Sequence, residues 1–316
     1  MKRFLIIDGP NLTHAAQSAS KLTVGGTQVQ AIYSFLRTMR GLMATYVNST
    51  PIVLWDGASW RRMLFTDYKN NREKDHTASY KKQQEERDSA KKQIPAIRKG
   101  LSLLGIAQAK AMNMEADDLA AIIGDRYANR GDKVMLISAD RDWVQLVRPG
   151  IMWFDPINDR KIMKAEDVEK TLKIKVADFR QFLEIKCLMG DTGDAIPGVG
   201  GIGEKYAQLF METWGSWANF SNGCLDGTIN VEALPKHYRA LAESEDKRMV
   251  FARNLDLMDL RTRRRPDPVN LTIDKGTPST ETFRLFCQKL VFRSFLKEYD
   301  NWVSVFPALA NQMEPA

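Results

Sequence analysis

The chain has 316 residues, 44% of them hydrophobic and 27% charged, which is long enough for one large or two compact cores and rules out a disordered protein. Its 46 Lys plus Arg against 39 Asp plus Glu leave a net charge of +7, a balance that favours a polyanionic partner. No run reaches the roughly twenty apolar residues of a membrane span. The apolar run behind Met1 is too short for a signal peptide, and the scattered Cys187, Cys224 and Cys287 read as reduced thiols, so a cytoplasmic protein without a membrane partner is expected.

Phe4 to Ile7 is a continuous apolar run rich in branched side chains, which predicts a strand buried on both faces. It ends in Asp8-Gly9-Pro10-Asn11. Gly26 to Tyr46 has helical spacing through Val29, Ile32, Phe35, Leu36, Met39 and Met43, which predicts a crossover helix. Ile52 to Trp55 then runs into Asp56-Gly57, and Val134 to Ser138 into Asp140-Arg141-Asp142. Strands alternating with helices imply a parallel sheet whose strand ends share one edge, where ligands bind. Any one aspartate there can be a turn former or a helix cap; three on one edge ask for a common purpose.

Met114-Glu115-Ala116-Asp117-Asp118 crowds three carboxylates into four positions ahead of an apolar helical pattern. Asp117 or Asp118 could cap that helix, but one cap is enough. At about 4 Å and an effective dielectric near 20, each pair of like charges costs roughly 4 kcal/mol, so protonation or a bound cation has to relieve the crowding. Glu115 and Asp117 are expected to project to the same side of an extended lead-in.

Tyr68 to Lys99 is polar almost throughout. Two readings are open: a surface helix with i,i+4 charge pairs, or a basic flap over the acidic edge whose sharpest part is Tyr68, Lys69 and Arg72. Ile151 to Phe154 is a further strand, and Phe179 to Gly190 a helix through Phe182, Ile185 and Leu188. The Gly-rich stretch from Met189 to Lys205 then predicts a tight hairpin that exposes backbone N–H groups at Ile202-Gly203 and suits a phosphate. Leu209, Phe210, Trp214 and Trp217, then Tyr238 to Met258, read as core helices. Four arginines between Arg261 and Arg265 either touch distal phosphates or form a solvated linker. Phe283 to Trp302 is expected to be one final helix packed on the second domain.

Asp8-Gly9-x-Asn11-Leu12, Asp56, Tyr68-Lys69-x-x-Arg72, Glu115-Ala116-Asp117-Asp118, Ser138-Ala139-Asp140-Arg141-Asp142 and Met189-Gly190-Asp191 to Lys205 stand in this order. Together they resemble the structure-specific 5′ nucleases: flap endonucleases, phage 5′-3′ exonucleases and the 5′-nuclease domain of bacterial DNA polymerase I. The resemblance runs from Phe4 to about Trp302. It implies an α/β fold, with a PIN-like parallel-sheet nuclease domain over residues 1–178, a helical arch at about 68–99, and a helical DNA-binding region over 179–306. A helix-hairpin-helix motif is implied at about 186–206, and 307–316 is a tail.

By the same resemblance, Asp8, Asp56, Glu115, Asp117, Asp118 and Asp140 hold a first metal ion, and Asp142, Asp191 and Asp194 complete a second site. Lys69 and Arg72 engage the scissile phosphate, and Tyr68 stacks near the reacting nucleotide. Lys186 and Lys205 contact phosphate, while Gly200, Ile202 and Gly203 build a hairpin that in relatives also holds a monovalent cation such as K⁺. Hard oxygen ligands select two Mg²⁺, with Mn²⁺ as a substitute, and two ions about 4 Å apart can activate water and stabilise the leaving 3′-oxygen. A monomeric, stand-alone nuclease acting in replication or repair on DNA with 5′ flaps, 5′ ends or branched junctions is expected. A DNA-structure-binding protein without catalysis and a PIN-type ribonuclease are the rivals; the latter gives no reason for the glycine hairpin. Three departures from the family pattern, His14, Ala195 and Tyr206, bear on substrate preference.

Overall fold

The computed structural model describes residues 1–19, 21–70 and 78–313. In chain order, β1 (Arg3–Asp8) runs into α1 (Gly9–Ser18); a small hairpin follows, β2 (Thr23–Val24) and β3 (Thr27–Gln28), before α2 (Gln30–Thr45) and β4 (Ser49–Trp55). The short α3 (Arg61–Leu64) precedes the long α4 (Ala78–Leu103), β5 (Ala107–Lys110), α5 (Ala116–Ala128), β6 (Lys133–Ile137) and a 3-10 turn at Arg141–Leu146. Next come β7 (Ile151–Asp155), β8 (Arg160–Ile162), α6 (Ala165–Leu172), α7 (Phe179–Met189), β9 (Gly190–Asp191) and β10 (Ile196–Pro197). Helices α8 (Glu204–Trp214), α9 (Trp217–Leu225), α10 (Lys236–Glu243) and α11 (Glu245–Met258) lead to β11 (Thr272–Asp274). The chain closes with α12 (Thr280–Lys289), α13 (Arg293–Lys297), α14 (Tyr299–Val303) and α15 (Pro307–Met313). Among the described residues no helix is long and apolar enough to cross a membrane.

Seven strands form one sheet in the order β11-β5-β4-β1-β6-β7-β8. Its five central strands are parallel, as the alternation of strands and helices predicts, and β11 and β8 add antiparallel edges. β1 lies at the centre and is apolar on both faces, because Phe4 and Ile6 enter one core while Leu5 and Ile7 enter the other. Pairing of Ile7 with Ile137 and of Asp8 with Leu54 brings the ends of β1, β4 and β6 to one edge.

Several boundaries differ from the sequence reading. The helix expected from Gly26 begins at Gln30, because Gly25 and Gly26 turn the β2–β3 hairpin. The helical run Tyr238 to Met258 is divided at Ser244, whose side chain accepts the Lys247 N–H and caps α11. The expected division at 178–179 is not a break in the core: one apolar cluster runs from Phe4 and Leu136 through Phe182 and Ile185 to Phe210 and Phe251.

The C-terminal expectation also needs correction. Phe283 to Trp302 is three short helices, not one, and they pack on the opposite face of the sheet with α1, α2 and the second half of α4. Val291 has a φ of 54°, which ends the helical path there. Phe295 stacks on Tyr33 of α2, with ring centroids 4.8 Å apart, and on Trp302 at 4.3 Å. The apolar face of α2 is thus covered by residues about 260 positions away, and β11 pairs with β5 on the way there.

Candidate active site

Asp8 ends β1 and also caps α1: one carboxylate oxygen accepts the Asn11 N–H at 3.0 Å, and the other accepts the Ser138 hydroxyl at 2.7 Å. A Cβ at Gly9 would lie 2.5 Å from the Leu54 carbonyl oxygen, so only glycine lets the chain turn this close to β4. Ser138 Oγ in turn accepts the Asp140 N–H at 3.0 Å, and Asn11 Oδ1 accepts the Ala139 N–H at 3.0 Å. Asp56, at the end of β4, accepts the Ala116 N–H at 2.9 Å. These bonds tie the three strand ends and the acidic stretch into one rim.

Glu115 is the N-cap of α5, while Asp117 and Asp118 lie in its first turn. The extended lead-in expected for Glu115 and Asp117 is therefore helical from Ala116, and the helix geometry separates the three acids. Asp117 faces the cavity and accepts the indole N–H of the fully buried Trp143 at 2.7 Å. Asp118 does not: it is 0% exposed, accepts the Trp60 indole at 3.1 Å and both terminal nitrogens of Arg61 at 2.9–3.0 Å, and caps the Glu115 N–H at 3.2 Å. Asp118, read as a metal ligand by the resemblance, is thus committed to capping and to an ion pair and does not line the cavity with the other acids.

Arg61 escaped the sequence reading. It is 2% exposed and also reaches Glu115 at 3.0 Å and the Leu257 carbonyl at 2.7 Å, joining the acidic stretch to α11. Nothing in the local spacing of Trp60-Arg61-Arg62 distinguishes it from a surface arginine.

Lys69 has a φ of 61°, an uncommon conformation for a residue with a Cβ. Its N–H donates to the Asp194 carbonyl at 2.8 Å, and its ammonium pairs with Glu115 and lies 3.8 Å from Asp194. Tyr68 is 2% exposed, and its hydroxyl lies 3.1 Å from carboxylate oxygens of both Glu115 and Asp194, which share its single proton. A buried ring with the Lys69 ammonium 4.9 Å from its centroid is not the stacking platform expected of Tyr68; the demand of the two carboxylates for donors turns it inward. Arg72 lies outside the described residues.

A cavity of about 640 Å³ opens over the rim, with Asp8, Asp56, Glu115, Asp117 and Asp140 in its wall. Arg62 and Lys69 line it too, as do Arg87 and Lys91 of α4, and His14 of α1. The polar first half of α4 thus lines the cavity together with the acids, while Ile97 and Leu101 of its second half are buried in the core. Asp142, Asp191 and Asp194 border a separate, narrower cleft that Asp117 also touches. There the Lys186 ammonium pairs with Asp142 and sits 3.3 Å from Asp191. Asp191 Oδ1 accepts the N–H groups of Gly193 and Asp194 at 2.8 and 3.2 Å.

The electrostatics separate the two groups of acids. Burial, with smaller repulsions from Asp140 and Asp56, pushes Asp8 up to about 7, against the pull of the Asn11 and Ser138 bonds. Burial and the neighbouring Asp140, Asp8 and Glu115 hold Asp117 well above the usual carboxylate range; Asp140 is raised by burial although Lys186 opposes it. Burial alone would also raise Glu115, but Lys69 and Arg61 overcome it and hold that carboxyl at about 2.

Asp8, Asp117 and Asp140 are thus carboxyls whose charge the protein does not fully balance, and their hard oxygens suit a divalent cation. Among the described residues, no three His, Cys, Asp or Glu side chains are grouped to hold an ion as they stand. Lys69 and Arg61 pair with Glu115, and Lys186 pairs with Asp142 and Asp191. By chemistry the oxygen donors at the large cavity suit a divalent cation, although as they stand they are not drawn together around one point, and the set around Lys186 suits one only when that ammonium is displaced.

The hairpin forms where expected. Gly200 and Gly201 have φ of 78° and 79°, which residues with a Cβ rarely adopt. Gly203 then opens α8 without a side-chain cap, leaving first-turn N–H groups for an external acceptor. Ile202 anchors the loop through its buried side chain, and Lys205 is exposed beside it. The carbonyls of Val199 and Gly200 accept from Lys247 of α11, so they do not fit the monovalent cation implied for this loop.

A model of the 5′-3′ exonuclease N-terminal resolvase-like domain matches residues 3–173. A flap endonuclease Xni of Shewanella sediminis is 33% identical over 224 residues, covering 69% of this chain and 80% of that protein. A 5′-3′ exonuclease of Aquifex aeolicus is 30% identical over 223 residues, covering 69% and 72%. Among solved structures, the bacteriophage T5 flap endonuclease in a pseudo-enzyme–product complex with DNA and metal ions matches with a TM-score of 0.62 at 27% identity, over 82% of this chain and 89% of that one.

Proposed function

The chain belongs to the 5′-3′ exonuclease family, and on that premise we propose that it is a nuclease that hydrolyses DNA phosphodiesters near 5′ ends or flap junctions with the help of divalent metal ions. The observation that carries this reading is the convergence of Asp8, Asp56, Asp117 and Asp140 on one cavity that Arg87 and Lys91 also line. Acids alone would repel a nucleic-acid backbone; acids that share a cavity with cations are arranged for a phosphate that arrives with metal ions.

Asp8, Asp56, Asp117, Asp140 and Glu115 would hold the first ion in this proposal. Asp142, Asp191 and Asp194 would hold a second, in place of the Lys186 ammonium. When bound, Mg²⁺ supplies Lewis-acid activation of water and charge neutralisation at the phosphoryl group. The remaining work falls to this chain. Arg87 and Lys91 draw the strand across the cavity. The Lys69 backbone is held by its N–H bond to the Asp194 carbonyl, and its ammonium offsets charge gathering on the phosphoryl oxygens. Trp143 and Ser138 hold Asp117 and Asp8 in orientation, as hydrogen-bond partners behind metal ligands do. Breaking the bond from phosphorus to the 3′-oxygen leaves a 5′-phosphate product. The hairpin at Gly200 to Lys205 holds the duplex through first-turn N–H groups.

A labelled 5′-flap DNA and a single-stranded RNA, each incubated with and without Mg²⁺, test the proposal. Cleavage of the flap only with Mg²⁺ is expected. Tight binding without cleavage would replace it with a non-catalytic DNA-binding role, and preferential RNA cleavage with a PIN-type ribonuclease.

A further inference from the structure

Helix α11 holds the hairpin from one side. Lys247 and Asn254 are seven residues apart and share one stripe of the helix. The fully buried Asn254 donates from Nδ2 to the carbonyls of Cys187 and Pro197, both at 2.9 Å. Lys247 donates from Nζ to the carbonyls of Val199 at 2.5 Å and Gly200 at 2.9 Å. Consecutive carbonyls of a glycine turn facing one point make a cation site, and an ammonium, a compact charge with three donors, satisfies it as a small ion would. A Cβ at Gly200 would lie 3.1 Å from Lys247 Nζ, so glycine keeps the turn closed on the ammonium.

We infer that Lys247 is an internal cation for the hairpin: its ammonium holds the Val199 and Gly200 carbonyls in place of a free monovalent ion, so the turn is set without K⁺. The positive charge lies beneath the turn whose outer side precedes α8, where it favours a DNA phosphate. This second consequence rests on the reading of the hairpin as a duplex grip; the first does not.

The full chain and Lys247→Met are compared by thermal unfolding in KCl and in tetramethylammonium chloride at equal ionic strength, with Mg²⁺ saturating. Thallium(I) serves as a magnetic-resonance probe of monovalent-ion binding. The wild type is expected to melt at the same temperature in both salts and to bind no thallium at the hairpin. Lys247→Met should melt higher in KCl and gain a thallium site. A wild-type melting temperature raised by K⁺ overturns the inference, as does a Lys247→Met protein indifferent to K⁺. Should Lys247→Met not fold, Lys247→Gln, which keeps N–H donors but loses the charge, takes its place, and the wild-type comparison stands regardless. A duplex-binding arm by fluorescence anisotropy separates the two readings. Wild-type Kd should agree within twofold between salts, and Lys247→Met should bind about tenfold more weakly in tetramethylammonium and recover in KCl. No duplex binding in any salt removes the DNA grip, while the melting and thallium results still decide the internal cation.

Discussion

Replacing Asp8 by Asn should make the metal-free protein more stable while abolishing cleavage. Asp8 is 4% exposed, and its carboxyl is pushed up to about 7 from an ordinary 3.8. A folded-state value above the unfolded one means that the folded protein binds the proton more tightly, so stability falls as pH rises between the two values. Above pH 7 the full cost is about 4 kcal/mol, from roughly three units at 1.36 kcal/mol each; near pH 5 about 2 kcal/mol remains. Asn removes the charge but gives up one of the two acceptors used by Asn11 and Ser138, a loss of about 1–2 kcal/mol. The net expectation for Asp8→Asn is a gain of about 2–3 kcal/mol near pH 8 and about zero near pH 5. Urea unfolding in EDTA at both pH values measures it, and adding Mg²⁺ should stabilise the wild type more than the variant. An Asp8→Asn protein that is less stable than wild type by the same amount at both pH values would refute the claim that this carboxyl lacks counter-charge.

Asp140→Asn is expected to abolish flap cleavage in Mg²⁺ while DNA affinity stays within a few-fold; unchanged turnover would remove Asp140 from the reaction. Lys69→Ala should lower kcat more than it weakens binding, and an effect on Kd alone would make Lys69 a DNA-positioning group. Arg61→Met leaves two buried carboxylates without their partner and should cost about 3–5 kcal/mol in urea unfolding; a loss below about 1 kcal/mol would mean that Lys69 and Trp60 suffice. Glu115, held at about 2, contributes stability above its unfolded value, and that contribution is lost as pH falls toward 2, opposite in sign to Asp8. Glu115→Gln should therefore flatten the acid limb of the unfolding curve, and an unchanged limb would contradict its ion pairs.

Local pattern carried much of this protein. Phe4 to Ile7, Ile52 to Trp55 and Val134 to Ile137 are strands because apolar branched side chains in short runs suit a sheet buried on both faces, and the aspartates behind them meet because parallel crossovers bring strand ends to one edge. The turn at Gly200-Gly201 was legible for a similar reason: its backbone angles demand glycine. Tertiary structure alone decided which charges pair. Arg61 and Asp118 are 57 residues apart, Lys247 and Gly200 are 47 apart, and Phe295 lies some 260 positions beyond the Tyr33 it stacks on. A side chain's sequence neighbours set its periodicity, but its partner is whichever group the packing of distant elements leaves unsatisfied. That is why Tyr68 turned inward to two carboxylates, why Asp118 is tied to a cap and to Arg61, and why the last aromatic helices closed over α2.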